Sequence, residues 1–410
     1  MFLYGNAVVG QSGGPTAAIN ATLSGVIRGA LSAKDDGIIG TLFGMRNGIE
    51  GLLSEELVDL FHIFDTEEKL TTLEATPAAA LGSCRKRLKA PSIDADAYEK
   101  LFDIFRRYNV RYFFYIGGND SMDTVLKLSE YSSAQDWEMR FIGVPKTIDN
   151  DLAATDHTPG FGSAAKFVAT TMKEILRDVS VYKIPAVTIV EVMGRDAGWL
   201  TASAALPALS GDAPDLIYLP ERSFSPEEFI EDIKEIQKTK PAVLVAVSEG
   251  IRDENGRYVG EGTDSRAVDA FGHKALSGAG RVLEALVKEK IGCKVRSVEL
   301  NLPQRCASHI ASLTDIDESV MIGGAAVKAA LIGSTGVMMT FERENAPEYS
   351  VRIATADIKG IANEIRRVPD EYINDRGNGI TEAGIAYLAP LILGELSPIY
   401  ENGMPKHIVI

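Results

Sequence analysis

Short apolar runs alternate with amphipathic segments along most of the chain. Asn6 to Val9, Phe141 to Val144, Ala186 to Val192 and Ala242 to Val247 are near-continuous apolar stretches of strand length, the pattern of strands covered on both faces. Tyr112 to Ile116 is an aromatic run of the same kind, and Ile38 to Gly51, Leu216 to Leu219 and Lys294 to Leu302 add further strand segments. Between them, Ile19, Leu23, Val26, Ile27, Ala30 and Leu31 recur at helical spacing until Lys34-Asp35-Asp36-Gly37 stops the helix. The pattern also predicts helices over Asp123–Leu128 and Ala164–Val179, from Ala197, from Pro226, from the Gly272-His273-Lys274 loop to Lys290, and beyond Cys306 through Ile310, Leu313, Val320 and Ile322. Strands alternating with helices predict an α/β protein with parallel sheets, and the two halves share that architecture without a residue-level repeat. Arg366 to Thr381, charged and rich in Asp, Asn and Gly, reads as a loop or linker, and apolar Ile385–Leu393, broken by Pro390, as a segment docked on the body or on a subunit interface.

The punctuation between these elements carries the chemistry. The first strand runs into Gly10-Gln11-Ser12-Gly13-Gly14-Pro15-Thr16 and then a helix, an arrangement that aims backbone N–H groups at an anion. It is neither a dinucleotide fingerprint nor a Walker A loop, and read alone it also fits a tight turn that binds nothing. Gly117-Gly118-Asn119-Asp120-Ser121 repeats the arrangement after the aromatic strand, with Ser121 also readable as a helix cap. A third strand delivers Pro145-Lys146-Thr147-Ile148-Asp149-Asn150-Asp151. That segment offers a carboxylate to take a proton, a second for a metal, and a cation for a phosphoryl group. Leu81-Gly82-Ser83-Cys84-Arg85-Lys86-Arg87 places adjacent cations in a loop. They read either as a solvated surface run or, through Arg85, as a fork for phosphate oxygens. Met193-Gly194-Arg195 and Ser248-Glu249-Gly250 follow two later strands, and Pro303-Gln304-Arg305-Cys306 opens a late helix.

Composition narrows the partners. With 410 residues, 45% hydrophobic and 24% charged, the chain is long enough for two or three domains with large cores. A formal net charge of −15 argues against a nucleic-acid binder, so any phosphate site has to be a local basic pocket. No apolar run approaches the length of a membrane span. Cys84, Cys293 and Cys306 form no CxxC pair, and His273 and His309 have no partner at metal spacing. Free thiols and the absence of a signal-like N-terminus lead us to expect a cytoplasmic protein.

Taken together and in order, Gly13-Gly14-Pro15 with the helix start behind it, Leu81-Gly82-Ser83-Cys84-Arg85, the Gly117 turn, Lys146 to Asp151, Val190 to Arg195, Ser248-Glu249-Gly250 and Gln304-Arg305 resemble the phosphofructokinases over residues 5–330. The resemblance implies an α/β fold of two three-layer αβα Rossmann-like domains facing a cleft, with a C-terminal extension. The expected boundaries are 1–155 with about 304–350 for the donor domain, 156–303 with about 351–380 for the sugar-phosphate domain, and 381–410 for the extension. It implies transfer of a phosphoryl group to the 1-hydroxyl of fructose 6-phosphate, with Mg2+. Asp149 would be the general base, and Thr147 would position the substrate and the transferring group. Met193, Gly194, Arg195, Glu249 and Arg305 would bind the sugar phosphate. Arg296 would do so from a neighbouring subunit, in a homodimer or homotetramer. Gly13, Gly14, Arg85, Gly118, Asp120, Ser121 and Lys146 are the expected donor-binding residues, with Asp151 and Asn119 on the metal.

Two residues bear on the donor. ATP users of this family carry glycine where this chain has Asp120 and again where it has Lys146, and the pair resembles the pyrophosphate-dependent branch. A carboxylate at Asp120 would occupy the place of a nucleotide α-phosphate, and Lys146 would meet charge on the transferring and leaving groups. The implied reaction takes pyrophosphate and fructose 6-phosphate reversibly to phosphate and fructose 1,6-bisphosphate. An ATP-dependent kinase of the same fold and a catalytically weak regulatory subunit are the alternatives, whereas the missing GxGxxG argues against a dinucleotide oxidoreductase. Three positions depart from the family pattern: Asn119 replaces an acidic metal ligand, Ala186 an inter-subunit arginine for which Lys183 could substitute, and Leu302 a polar sugar-binding residue.

Overall fold

The computed structural model describes residues 2–181, 183–260, 278–361 and 364–410. The loop around His273 and the first part of the helix expected after it lie outside the described residues. Among the described residues eleven strands form two large sheets, and Tyr400–Glu401 pairs with Met404–Pro405 in a separate two-stranded ribbon. Gly5–Gln11 (β1), Ile39–Met45 (β2), Leu57–Asp59 (β3), Val110–Gly117 (β4), Arg140–Pro145 (β5), Val337–Arg343 (β10) and Val351–Asp357 (β11) make the first, in the order β11-β10-β5-β4-β1-β2-β3. Ala186–Val192 (β6), Leu216–Tyr218 (β7), Ala242–Ser248 (β8) and Lys294–Glu299 (β9) make the second, in the order β7-β8-β6-β9. The second sheet is parallel throughout, and the first is parallel except at its two edges, β3 and β11.

Strand alternation explains why both sheets are covered on both faces. Along β1 and β4, Ala7, Val9, Tyr112, Phe114 and Ile116 enter one core with the helices Ile19–Asp35 and Leu313–Leu331. Val8, Phe113 and Tyr115 enter another with the helices Ala95–Arg107 and Asn119–Ser132. In the second sheet Val190, Val192, Leu244 and Ala246 face the helix Phe161–Val179. Val187, Ile189, Val243 and Val245 face the helices Pro226–Ile236 and Ala279–Lys290. A parallel strand buried on both faces has no polar side, which is why these segments read as continuous apolar runs.

Each sheet changes winding direction beside its first strand. β1 has β2 on one side and β4 on the other, and β6 has β8 and β9. Open α/β sheets form their ligand crevice at such a switch point, outside the C-terminal strand ends. The glycine turns at Gly13 and Gly117, and the Met193 and Glu249 loops, lie at those ends.

One expected boundary is corrected. The range of about 351–380 expected in the second domain begins with a strand of the first sheet, since β11 pairs antiparallel with β10 along its whole length at that sheet's edge. A seven-residue β-hairpin partner fixes a segment more firmly than the charged linker after it can. The chain then returns to the second unit, where Val368 and Ile373 are buried and the Trp199 indole N–H donates to the Arg366 carbonyl at 3.0 Å. Tyr387, Leu388 and Leu391 dock the Ile385–Leu393 segment there. Its apolar helix Glu382–Leu388 gives way to a 3-10 turn that contains Pro390. The C-terminal residues Ile408 and Ile410 reach the first core. Among the described residues no helix is long and apolar enough to cross a membrane.

Candidate active site

A cavity of about 450 Å³ lies between the two sheets. From the first sheet it is lined by Gly13, Gly14, Arg85, Gly118, Asn119, Asp120, Ser121, Lys146, Thr147, Asp149 and Asp151, and from the second by Arg195, Asp196 and Glu249. All of the expected donor-binding, metal and catalytic residues therefore meet in one place.

The glycine turn after β1 is held open by its neighbours. Gly13 adopts φ +78°, and a Cβ there would stand 3.3 Å from Lys146 Nζ, so glycine supplies both the left-handed backbone and the room for the lysine. The Gly13 N–H donates to the Cys84 carbonyl at 3.1 Å, and Ser83 Oγ donates to the Gly13 carbonyl at 2.6 Å, which fastens the Leu81–Arg87 loop to the turn. Ser12 and Ser121 share a short hydroxyl hydrogen bond that joins the two glycine turns. Ser121, expected to contact the donor or to cap its helix, lines the cavity and makes this link through its hydroxyl. The Asn119–Ser132 helix starts at Gly118 with no side-chain cap, and the Gly118 carbonyl accepts from the Ser121 N–H at 2.9 Å and the Met122 N–H at 3.1 Å.

Lys146 is buried, and its Nζ donates to the Gly14 carbonyl at 2.6 Å. Burial pushes its pKa down to about 8 against the pull of Asp149, with Arg305 and Arg85 pushing the same way as burial. Burial likewise drives Asp149 above the ordinary carboxylate range, although Lys146 and Arg195 favour its charge. Asp151 is pushed up to about 7 by burial and by the neighbouring Asp149. The loop itself is tightly tied. Thr147 Oγ1 accepts from the Asp149 N–H at 3.1 Å, its carbonyl accepts from Thr158 Oγ1 at 2.8 Å, and Asn150 takes φ +54°. The Asp151 carbonyl accepts from the Arg366 N–H at 2.8 Å, so the returning C-terminal segment braces the loop from behind.

Across the cavity, Glu249 Oε1 accepts from the Gly194 N–H at 3.2 Å, and Ser248 Oγ donates to the Gly194 carbonyl at 2.6 Å. Burial raises Glu249 to about 7 despite the Gly194 bond. Arg195 has its Nε buried with no hydrogen-bond partner. Arg305, on the short helix Pro303–Cys306, comes within 3.4 Å of where a Gly14 Cβ would be, and burial and Arg85 together lower its pKa. Arg85, Lys146 and Arg305 thus repel one another in a partly desolvated space. Like charges gathered in this way are relieved by a polyanion.

Met193 lines a smaller pocket of about 170 Å³ with Glu191, Glu249, Glu299, Asn301 and Gln304, and its N–H donates to Gln304 Oε1 at 3.1 Å. Glu249 belongs to both pockets, so the second adjoins the first. Arg296 does not join them. It lines a separate pocket near the N-terminal ends of β6, β8 and β9 with Ala186, Thr188 and Lys294. Leu302 is half-exposed and lines none of these pockets, whereas Asn301 beside it lines the Met193 pocket.

Sequence reasoning missed Arg87, Asp196 and Ile365, all on the cavity wall. Arg87 had a visible signal, since it closes the basic run, but only the structure shows that it bonds Asp120 through Nε at 2.7 Å and through Nη2. Asp120 is therefore no bare carboxylate. Asp196 is the neighbour of Arg195 and pairs with Arg252. Ile365 arrives from more than two hundred residues away in sequence, at an isolated bridge with Leu152.

The phosphofructokinase family model matches residues 6–330. The chain is 40% identical over 404 residues to a pyrophosphate–fructose 6-phosphate 1-phosphotransferase of Halomonas elongata, covering 98% of this chain and 95% of that protein. It is 41% identical over 408 residues to one of Xanthomonas campestris, with 98% and 96% covered. The crystal structure of a pyrophosphate-dependent phosphofructokinase from Nitrosospira multiformis superposes with a TM-score of 0.88 at 37% identity, over 99% of this chain and 96% of that one. The chain belongs to the phosphofructokinase family.

Proposed function

We propose that this protein transfers a phosphoryl group reversibly from pyrophosphate to the 1-hydroxyl of fructose 6-phosphate, giving phosphate and fructose 1,6-bisphosphate. The observation that carries the donor is the joint placement of Asp120 and Lys146 in one cavity with the two glycine turns. The names of the relatives point the same way.

Asp149 takes the proton of the sugar hydroxyl. A carboxylate whose pKa burial has raised is a stronger base than a solvated one, and Lys146 and Arg195 favour the charged form from which it accepts the proton. Lys146, between the Gly14 turn and Asp149, meets the negative charge that spreads over the transferring and leaving groups. Arg85, Gly13, Gly14 and Gly118 clamp the donor. Thr147 holds the Asp149 backbone and so the line of attack. Arg195, Arg305, Glu249, Gly194 and Met193 hold the sugar phosphate.

The donor set fits Mg2+. Asn119 Oδ1 is buried without a hydrogen-bond partner and Asp151 lines the same cavity, two oxygen ligands of the kind Mg2+ shares with phosphates and waters. When bound, the ion would neutralise the phosphate oxygens. Among the described residues no three His, Cys, Asp or Glu side chains gather where they could hold a metal ion.

Arg296 faces away from this cavity, which supports an assembly in which it serves a neighbouring chain. The reading includes a cytoplasmic setting, supported by three free cysteines. Fructose 1,6-bisphosphate formation from fructose 6-phosphate and Mg2+, run in parallel with pyrophosphate and with ATP, tests the reading. Turnover with pyrophosphate alone supports it, and turnover with ATP alone overturns the donor.

A further inference from the structure

Asp120 and Arg87 share one side of the cavity. Asp120 stands in the first turn of the Asn119–Ser132 helix, and Arg87 comes from the loop fastened to the Gly13 turn. Arg87 Nε and Nη2 both bond Asp120 Oδ1. The side chains keep 51% and 30% of their exposure, so packing does not force the contact, and both face the space that Gly13, Gly118 and Lys146 line.

Charge repulsion by Asp120 is a poor selector between donors that are both polyanions, because it opposes pyrophosphate as well as a nucleotide. Pairing changes the balance. The guanidinium offsets the carboxylate, and the carboxylate fixes the plane of a group whose N–H fork matches phosphate oxygens. Resting on the reading of pyrophosphate as donor, we propose that Asp120 and Arg87 act as one device. Asp120 is a positioning residue that anchors Arg87, and Arg87 binds the leaving phosphate and closes the cavity after the second phosphate.

The test is a cycle of Arg87→Ala, Asp120→Asn and the double variant, with Arg87→Lys beside it, read as KM for pyrophosphate, kcat, inhibition by inorganic phosphate and KM for fructose 6-phosphate. Arg87→Ala is expected to raise KM for pyrophosphate about tenfold and to weaken phosphate inhibition similarly, the effect of one charged hydrogen-bonding partner. Arg87→Lys falls between, because it keeps the charge without the fork. Asp120→Asn raises that KM while Arg87 is present, because the anchor is lost, and lowers it in the Arg87→Ala background, because an unpaired charge is removed. KM for fructose 6-phosphate stays within about twofold throughout, since neither residue is placed on the sugar. An Asp120→Asn effect that lowers KM in both backgrounds, or two strictly additive effects, overturns the device while leaving pyrophosphate as donor. A parent protein that turns over only with ATP overturns the donor reading and the device with it.

Discussion

Asp149 and Lys146 sit three residues apart on one tied loop, and each is pushed by burial toward its neutral form while favouring the charge of the other. This mutual dependence sets two expectations. Removing the base in Asp149→Ala lowers kcat by about 10²–10⁴, the usual contribution of a positioned acid or base. Substrate binding, measured by isothermal titration with fructose 6-phosphate, is expected to persist, because the proposed sugar-phosphate ligands Arg195, Arg305 and Glu249 are untouched; unchanged kcat would remove Asp149 as the base. The second expectation concerns pH. In the proposed reaction Lys146 binds the donor as a cation, and with its pKa pushed down to about 8 it loses that charge as pH rises, so kcat/KM for pyrophosphate is expected to fall above about 8. Lys146→Arg keeps its charge through that range. The alkaline limb is expected to move upward in that variant, and a limb that stays in place would assign the titration to the donor or to another group.

At the scale of elements, the central scaffold depends on two helices that approach through glycine. A Cβ on Gly25 would meet the Val320 carbonyl oxygen at 2.0 Å, and one on Gly323 would meet the Thr22 carbonyl oxygen at 2.2 Å. Backbone atoms cannot rotate away as a side chain can. Gly25→Ala is therefore expected to destabilise the protein by about 3 kcal/mol or more, at the upper end of overpacking costs. Gly324→Ala, where the nearest atom lies at 3.5 Å, is expected to be neutral or stabilising by up to about 1 kcal/mol. Thermal unfolding of the two variants decides it, and equal midpoints would show that the crossing can spread. These elements were legible because their patterns are local. The strand, glycine turn and helix recur at β1 and β4, and the apolar runs mark strands covered on both faces. The helix Ala95–Arg107, with Tyr98, Leu101, Phe102 and Phe105 buried on one stripe, carries the same kind of local signal in its apolar spacing. β11 was not legible in the same way. None of its side chains is fully buried and Arg352, Thr355 and Asp357 are exposed, so no continuous apolar run marks it, and its place at the sheet edge is set by pairing with β10. The Arg87 bond to Asp120 and the arrival of Ile365 are likewise tertiary facts, since nothing local in either segment names its partner.

For the whole molecule, the separation of Arg296 from the cavity is the informative fact. It stands on β9 opposite Thr188 of β6, near the strand ends remote from Met193 and Glu249, in a pocket with Lys294. A cation there cannot serve the sugar site of its own chain without reversing the sheet. It can serve another chain whose cavity is set against this face, which would make each site a product of two subunits. Complementation tests this directly. Arg296→Ala is expected to raise KM for fructose 6-phosphate about tenfold or more, as loss of an arginine from a phosphate does, with kcat less affected. Asp149→Ala is expected to lose most of its turnover for a different reason, the missing base. When the two variants are unfolded together and refolded as a mixture, chains pair at random, and some sites then combine an intact Asp149 with an intact Arg296 from the partner. Activity at low fructose 6-phosphate should exceed the sum of the two homogeneous preparations. A mixture that only adds the two activities, while light scattering shows mixed oligomers, would place Arg296 outside the sugar site.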